Sequence, residues 1–327
     1  MSDKQYYYAV ARIRTKELSL LSASFLEQLL GAKTVSEGMR LLTDKGWDTE
    51  QSASSESERV EKMLLSEKKK TRALIEEMVD DMSVFDVLRL EYDYHNLKAA
   101  IKQALNSDEH EGIYTEEGTI PSSIIRDAAA AKDFSELPER MRDIAAEAMD
   151  VLLHTQDGQL CDIMIDRAAL EAIYDAGKAS GSDILKLYGE LKVAAADIKI
   201  AVRASKTGKD MKFLNTALAK CDSLDIDALA KAAVEGTDEI CEYIALTDYS
   251  EAADELKASA SAFERWCDNL IIRNIKPEIY HPYTVGPLAA YMIARDNEIK
   301  TVRIVMSGKI NDLPEDSVRE RVREMYV

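Results

Sequence analysis

Two segments of the sequence carry residues of the kinds that bind phosphate or its metal ions. Asp80, Asp81 and Asp86 form a loose version of the acidic cluster with which some helical enzymes hold magnesium and a diphosphate. No second acidic cluster is paired with them, and carboxylates are rarely buried without a partner. Residues 177–181, GKASG, have neither the GxxxxGK[ST] order nor the preceding strand of a phosphate loop. We predict a solvated helix end and a helix C-cap with its loop.

The histidines and cysteines are too dispersed to predict a metal or redox site. The four histidines are His95, His110, His154 and His281, and the four cysteines are Cys161, Cys221, Cys241 and Cys267. None of them forms a CxxC pair or sits at metal-ligand spacing from another on one helix. No serine lies in a nucleophile elbow. The sequence therefore predicts no catalytic residue, no cofactor, no metal and no small-molecule substrate.

Pairs of cations recur at helical spacing and form the candidate binding residues of this chain. Members of each pair are three or four residues apart, which places them on one face of a helix. The residues are Lys98, Lys102, Lys199, Arg203, Lys300, Arg303, Arg319 and Arg323. One interpretation is a set of solvated faces with local ion pairs, each worth a few tenths of a kcal/mol. The other is an interface with a partner, and both interpretations stay open at this point.

Each of the first three cation pairs begins with the lysine that ends a triplet, and this triplet recurs with a fixed offset. The triplets begin at Asn96, Asp197 and Glu298, each followed by Leu or Ile and then Lys, so both offsets are 101 residues. The pattern also begins at three other positions, which makes a single triplet a weak signal. An internal period of this length predicts repeated helical units. We predict three repeats, at residues 1–109, 110–209 and 210–327.

Helix-start signals upstream of the triplets support the repeat. Ser36-Glu37, Ser135-Glu136 and Asp238-Glu239 each combine an N-cap residue with an acid, roughly sixty residues before a triplet. Pro121 and Pro314 stand at predicted first helical positions, where the fixed φ of proline is favourable.

Other signals predict where the helices begin and end. The first helix should run from Tyr6 through Leu21, and a long helix should occupy residues 58–82 after a polar linker at 52–57. Prolines 277, 282 and 287 should break the chain before the final long helix, which should stop at Gly308.

Composition predicts an all-α protein with an acidic surface. The 327 residues include only 13 glycines and 6% aromatics, and short alternating β-branched runs are nearly absent. The formal net charge of −18 disfavours nucleic acid and anionic membrane surfaces as direct partners. Neither a secretory signal nor a run of 18 apolar residues is present, so we expect a cytoplasmic location.

The final forty residues resemble a known family. The matching residues are Gly286-Pro287, Tyr291, Glu298-Ile299-Lys300, Arg303, Gly308-Lys309 and Leu313-Pro314, with Tyr8-Ala9 and Ala11-Arg12 at the start of the chain. Their order and spacing are similar to those of the C subunit of archaeal and bacterial A-type (V-type) ATPases, which corresponds to the d subunit of the eukaryotic vacuolar enzyme.

The resemblance implies a fold and a role. It implies three similar helical domains in a funnel-like pseudo-threefold arrangement. It implies a non-catalytic rotor subunit, peripheral to the membrane, that couples D-like and F-like central-shaft subunits to the membrane proteolipid ring. The alternatives are an unrelated helical-repeat adaptor and an all-α magnesium-dependent diphosphate enzyme that uses the acidic cluster at Asp80.

Overall fold

The computed structural model describes residues 6–48, 55–105 and 112–327. Every regular element in these ranges is helical, which confirms the predicted all-α class. None of the described helices combines the length and the apolarity that crossing a bilayer requires.

The described residues form sixteen α-helices. The first are α1 (Tyr7–Glu17), α2 (Ala23–Gly31), α3 (Val35–Asp44), α4 (Glu56–Glu76), α5 (Leu90–Leu105), α6 (Ser122–Ala131), α7 (Glu139–Thr155) and α8 (Gly158–Ala179). They are followed by α9 (Asp183–Lys206), α10 (Met211–Ala217), α11 (Ile226–Glu235), α12 (Thr237–Ile244), α13 (Ala252–Ala258), α14 (Ala260–Ile275), α15 (Gly286–Ile310) and α16 (Glu315–Arg319). Two 3₁₀ helices, Met82–Leu88 and Lys276–Tyr280, precede α5 and α15.

The chain divides into two compact units. The terminal unit joins Met1–Met82 with Asp254–Val327, and the central unit is Ser83–Ala253. The division follows spatial contacts, whereas the three repeats were inferred from sequence period, so the repeat boundaries at 109/110 and 209/210 stay predictions. Residues 109 and 110 lie outside the described ranges.

The core of the terminal unit is built around α15. Every residue of α15 from Gly286 to Arg295 is buried. Its later turns place Ile299, Val302 and Met306 in a cluster with side chains of α2, α3 and α4. The last long helix is therefore enclosed by the first helices of the chain.

The core of the central unit lies between α5 and the three helices after it. Tyr94, Leu97 and Ile101 of α5 pack in one cluster with Met141 of α7 and Ile165 of α8. Alanines of α6 and α7 line the same cluster, and their small side chains let the helices approach closely.

Three predicted helix boundaries near the start of the chain are wrong. α1 ends at Glu17 rather than Leu21, because the N–H of Leu21 donates to the carboxylate of Glu298 instead of to a helical carbonyl. α4 begins at Glu56 and ends at Glu76, and the hydroxyl of Ser55 caps it by accepting from the N–H of Glu58 at 3.2 Å. The predicted linker therefore stops at Ser55, and residues 52–54 of it lie outside the described ranges.

The helix-start signals located the starts only in part. α3 is capped by Thr34, not by Ser36. Ser135 lies in a turn, and α7 begins at Glu139 after Pro138. Asp238 and Glu239 do lie in the first turn of α12. Pro121 and Pro314 occupy the N-cap positions of α6 and α16, one residue before the predicted place.

The end of the last long helix also differs from its prediction. α15 continues through Gly308 to Ile310, and Pro287 lies in its first turn. Gly308 is buried against Val318 of α16, and a Cβ at position 308 would clash with that side chain. The glycine is present for close helix packing and not as a helix terminator.

We expect Gly308→Ala to lower the free energy of unfolding by about 1–3 kcal/mol, since overpacking forces neighbouring atoms to shift. Gly31→Ala is the matched control, because a Cβ at this helical glycine meets no atom within 4 Å. Urea unfolding of both variants measures the difference, and adding Val318→Ala should recover part of the loss. Equal stability of Gly308→Ala and the wild type would contradict the packing role.

Candidate functional site: the repeated triplets on three long helices

The first residue of each triplet is a buried anchor for a backbone turn. Asn96, Asp197 and Glu298 lie on α5, α9 and α15 and are at most 1% exposed. Each accepts a backbone N–H from the segment just before a short helix. The three donors are Thr115 before α6, Ala219 before α11 and Leu21 before α2. The equal offset in sequence thus corresponds to a shared hydrogen-bonding role. Superposition of whole repeats stays a prediction.

Asn96 binds the backbone of its turn through a neutral amide. Its side-chain oxygen accepts from the N–H of Thr115 at 3.0 Å, and its Nδ2 donates to the carbonyl of the same residue at 2.8 Å. One turn earlier on α5, Asp93 accepts the N–H groups of Thr119 and Ile120 at 2.8 and 3.1 Å. Burial raises the pKa of Asp93, and these donors oppose the rise. The two side chains fix the segment that leads into α6.

Glu298 needs a compensating cation, which Arg295 supplies. Arg295 Nη1 lies 2.5 Å from Glu298 Oε2, and its Nη2 lies 2.7 Å from Glu67 Oε2 on α4. All three side chains are less than 9% exposed. The guanidinium also lies 5.2 Å from the ring centroid of Trp47. We call Arg295, Glu298 and Glu67 the buried ion cluster.

In the buried ion cluster, one guanidinium forms ion pairs with two carboxylates. Burial raises the pKa of Glu298, while Arg295 opposes the rise. Glu67 also receives a hydrogen bond from Lys70 at 2.7 Å. Because a buried charge without a partner is costly, this cluster makes α4, α15 and the Leu21 turn depend on one another.

Asp197 has neither the cation of Glu298 nor the amide of Asn96. Its Oδ1 accepts from the N–H of Ala219 at 3.0 Å, and its buried Oδ2 has no hydrogen-bond partner among the described residues. Burial raises the pKa of Asp197 to about 7, and the positive charge of Arg167 opposes this only partly. The Asp197 carboxyl is therefore mostly protonated, and so neutral, at pH values below about 7.

The cations of the first and third triplets are paired within the chain. Each pair joins a triplet helix to another helix of its own unit. Lys98 and Lys102 contact Asp166 and Asp162 of α8, at 2.5 and 2.7 Å. Lys300 contacts Asp268 of α14, and Arg303 contacts Glu61 of α4 at 3.0 Å. These ion pairs agree with the solvated-face interpretation for the four residues, and a role in partner binding stays a prediction.

The two C-terminal arginines are paired as well. Arg319 contacts Glu27 at 2.7 Å and Glu315 at 2.8 Å, both at the surface. Arg323 is buried and lies 2.8 Å from Asp268, the carboxylate that it shares with Lys300. Burial would raise the pKa of Asp268, but the two cations together hold it below its ordinary value.

The middle triplet differs from the others because its cations are unpaired. Lys199 and Arg203 are exposed on α9, and neither has an acidic partner in the described part of the chain. Of the eight candidate interface residues, they are the two that no intramolecular ion pair occupies within those ranges.

Sequence reasoning missed Arg295 and Glu67. Arg295 directly follows the apolar run from Leu288 to Ala294, and that position could have indicated a buried cation. Glu67 lies in a polar segment before Lys68, and nothing in the neighbouring sequence distinguishes it from an exposed glutamate. The acidic residues Asp80 and Asp81 are exposed. In the described ranges no three His, Cys, Asp or Glu side chains converge as metal ligands.

Comparison with known proteins gives matches over the whole chain. The sequence profile of the ATP synthase (C/AC39) subunit family matches residues 9–321. The C subunit of the V-type sodium ATPase of Enterococcus hirae is 20% identical, over 98% of this chain and 99% of its own length. The C subunit of the V-type ATP synthase of Thermus thermophilus is 23% identical over the same shares. The C subunit of the A-type ATP synthase of Methanocaldococcus jannaschii is 22% identical over 96% of this chain and 85% of its own.

We expect Arg295→Met to lower the free energy of unfolding of the terminal unit by about 3–5 kcal/mol, because two buried carboxylates lose their only shared cation. Both tryptophans, Trp47 and Trp266, lie in this unit, so their fluorescence reports its unfolding in urea. Arg303→Met is the control, because its ion pair with Glu61 is half exposed and should contribute less than about 1 kcal/mol.

Two further results would decide the role of the buried ion cluster. Replacing Glu67 and Glu298 by Gln in the Arg295→Met background should recover part of the stability, since no unpaired charge remains. Equal losses for Arg295→Met and Arg303→Met would contradict this role.

We expect the stability of the central unit to fall as the pH rises towards 7. Folded Asp197 holds its proton up to about pH 7, whereas the unfolded carboxyl releases it near its ordinary value of 3.8. The stabilising contribution is therefore complete in acid and is lost as the pH rises through this window. Between pH 5.5 and pH 8 the loss should be about 2 kcal/mol.

Asp197→Asn should remove this dependence, and Asn96→Asp should add a similar one. Urea unfolding followed by circular dichroism at pH 5.5, 6.5 and 8 measures all three chains. Parallel pH profiles of the wild type and Asp197→Asn would show that Asp197 is not the titrating group.

Proposed function

Because the chain belongs to the ATP synthase (C/AC39) subunit family, we propose that it is a non-catalytic rotor subunit of an A/V-type ATPase. In this proposal it joins the central shaft, made of D-like and F-like subunits, to the membrane ring of proteolipid subunits. It passes torque between the two, so that ATP turnover and ion transport are coupled.

The observation that carries the proposal is the extent of the match. The family profile covers residues 9–321, and the Enterococcus and Thermus relatives align over 98% of this chain and 99% of their own lengths. The proposal therefore concerns the chain as a whole and not one domain of it. A generic helical-repeat adaptor is disfavoured by this family membership. The diphosphate enzyme has no support from Asp80, Asp81 and Asp86, which do not converge as metal ligands in the described ranges.

The internal construction suits a part that carries load. A coupling subunit must transmit force without its helices sliding past one another. In the terminal unit, α15 is buried along its first turns and is tied to α4 through Arg295 and Glu67. In the central unit, α5 and α8 are joined by an apolar core and by the Lys98 and Lys102 ion pairs. These ties resist shear between neighbouring helices inside each unit.

The charge distribution suits a protein partner. The chain carries a net charge of −18, yet six of its eight candidate interface cations are paired internally. The full set of eight stays a proposed interface. Lys199 and Arg203 are the members most available to another chain, since no described carboxylate pairs with them.

We expect native mass spectrometry to detect this chain bound to the D-like and F-like shaft subunits, and also to the detergent-solubilised proteolipid ring. An unrelated coiled-coil protein of similar length and charge is the control and should not bind. The isolated chain should show no ATP hydrolysis. Absence of both complexes, or ATP turnover by the chain alone, would contradict the proposed function.

A further inference from the structure

One stretch of this acidic protein is strongly basic. Between positions 198 and 212 the chain has five cations and a single acid, Asp210. We call these cations the α9 basic face: Lys199, Arg203, Lys206, Lys209 and Lys212. Four of them are exposed, and Lys209 is half-buried.

Helix geometry places the first three of these side chains on one side of α9, and the other two follow its C-terminal end. Positions 199, 203 and 206 are spaced by four and three residues, so they share a face. The chain turns at Gly208, whose φ of 62° lies in the left-handed region, and α10 begins at Met211. The carboxylate of Asp210 accepts from the N–H of Phe213 at 2.9 Å, so the one nearby acid serves as a helix cap.

The α9 basic face lacks the internal pairing seen elsewhere. Lys209 donates to the amide oxygen of Gln159 at 2.9 Å. No described carboxylate forms an ion pair with Lys199, Arg203, Lys206 or Lys212. The cations that follow the other two triplets are all paired with acids of neighbouring helices. The cations of the middle triplet therefore lack, in the described part of the chain, the acidic partners that the other two sets have.

The helix dipole explains only part of this pattern. Cations in the last turn of a helix are stabilised by its C-terminal carbonyls, and Arg203 and Lys206 lie in the last turn of α9. Lys199 lies almost two turns from that end, and the effect falls off within one turn. Lys212 is in the first turn of α10, where the dipole opposes a positive charge. A binding role accounts for all of these residues together.

The chemistry of the α9 basic face indicates a carboxylate-bearing protein surface rather than a bilayer. A segment that lies on a membrane needs an apolar side to insert. The large exposed hydrophobic residues nearest in sequence are Leu153 and Val234, and none falls within residues 199–212. A net charge of −18 also repels anionic lipid headgroups. A protein surface that presents carboxylates, in contrast, would neutralise these cations without needing an apolar side.

We propose that the α9 basic face binds an acidic patch on the shaft of the rotary ATPase. The proposal rests on the proposed function, which supplies the shaft as the partner. Complementary charge of this kind steers association and fixes the register of two surfaces. The unpaired cations thus determine which partner surface is bound, and the paired cations form ion pairs between helices of the subunit.

The test compares two triple charge reversals of the full chain. Lys199→Glu/Arg203→Glu/Lys206→Glu changes the α9 basic face, and Lys186→Glu/Lys231→Glu/Lys257→Glu gives the same change in net charge at exposed lysines elsewhere. Binding to the purified shaft subunits is measured by surface plasmon resonance at several salt concentrations. The isolated ring and vesicles of phosphatidylserine and phosphatidylcholine are measured in parallel. A Gln version of the first triple variant replaces it if the Glu version does not fold.

We expect the first variant to bind the shaft about 10-fold or more weakly at low salt, with the difference shrinking as salt rises. Its affinity for the ring should be unchanged, and the control variant should behave as the wild type does. Equal shaft binding by all three chains would overturn the proposal while leaving the proposed function intact. Loss of ring or vesicle binding in place of shaft binding would also overturn it. A wild-type chain that binds neither shaft nor ring would overturn both.

Discussion

The structure depends on one constraint, which is that a backbone N–H in a buried turn must find an acceptor. Leu21 and Ala219 are buried and Thr115 is half-buried, and each lies in a segment between two helices, where its N–H binds a side chain instead of a helical carbonyl. An unsatisfied buried donor costs about 1–3 kcal/mol. The three long helices supply the acceptors from side chains at one repeated position. In the terminal unit, the hydrogen bond from the N–H of Leu21 to Glu298 joins the turn before α2 to α15, the last long helix.

The three acceptors meet the constraint with different chemistry, and each choice has a consequence. An amide at position 96 is neutral and needs no compensation. A carboxylate at position 298 requires Arg295, and Arg295 brings Glu67 into the core. The carboxyl at position 197 has no ion-pair partner among the described residues, and burial raises its pKa to about 7, so it holds its proton in acid. The differences between these three turns therefore follow from the first residue of each triplet.

The sequence predicted the helical class, because amino-acid composition alone carries that signal. It also singled out positions 96, 197 and 298, which share a hydrogen-bonding role, whereas the three repeats stay a prediction. It failed at boundaries decided by distant residues. α1 stops early because Glu298 takes the N–H of Leu21, and α15 passes through Gly308 because Val318 needs the space. The interface prediction named Lys199 and Arg203 together with six paired cations. Pairing depends on which acids lie across a helix contact, and residue spacing along the chain does not contain that information.

We propose that this chain stands between the shaft and the ring and meets the shaft through α9. A single-particle structure of the purified rotary ATPase tests it most directly. We predict density for this chain between the two, with Lys199 and Arg203 within about 4 Å of shaft carboxylates, the distance of an ion pair. A chain located outside the rotor, or one whose α9 cations face solvent, would contradict the claim.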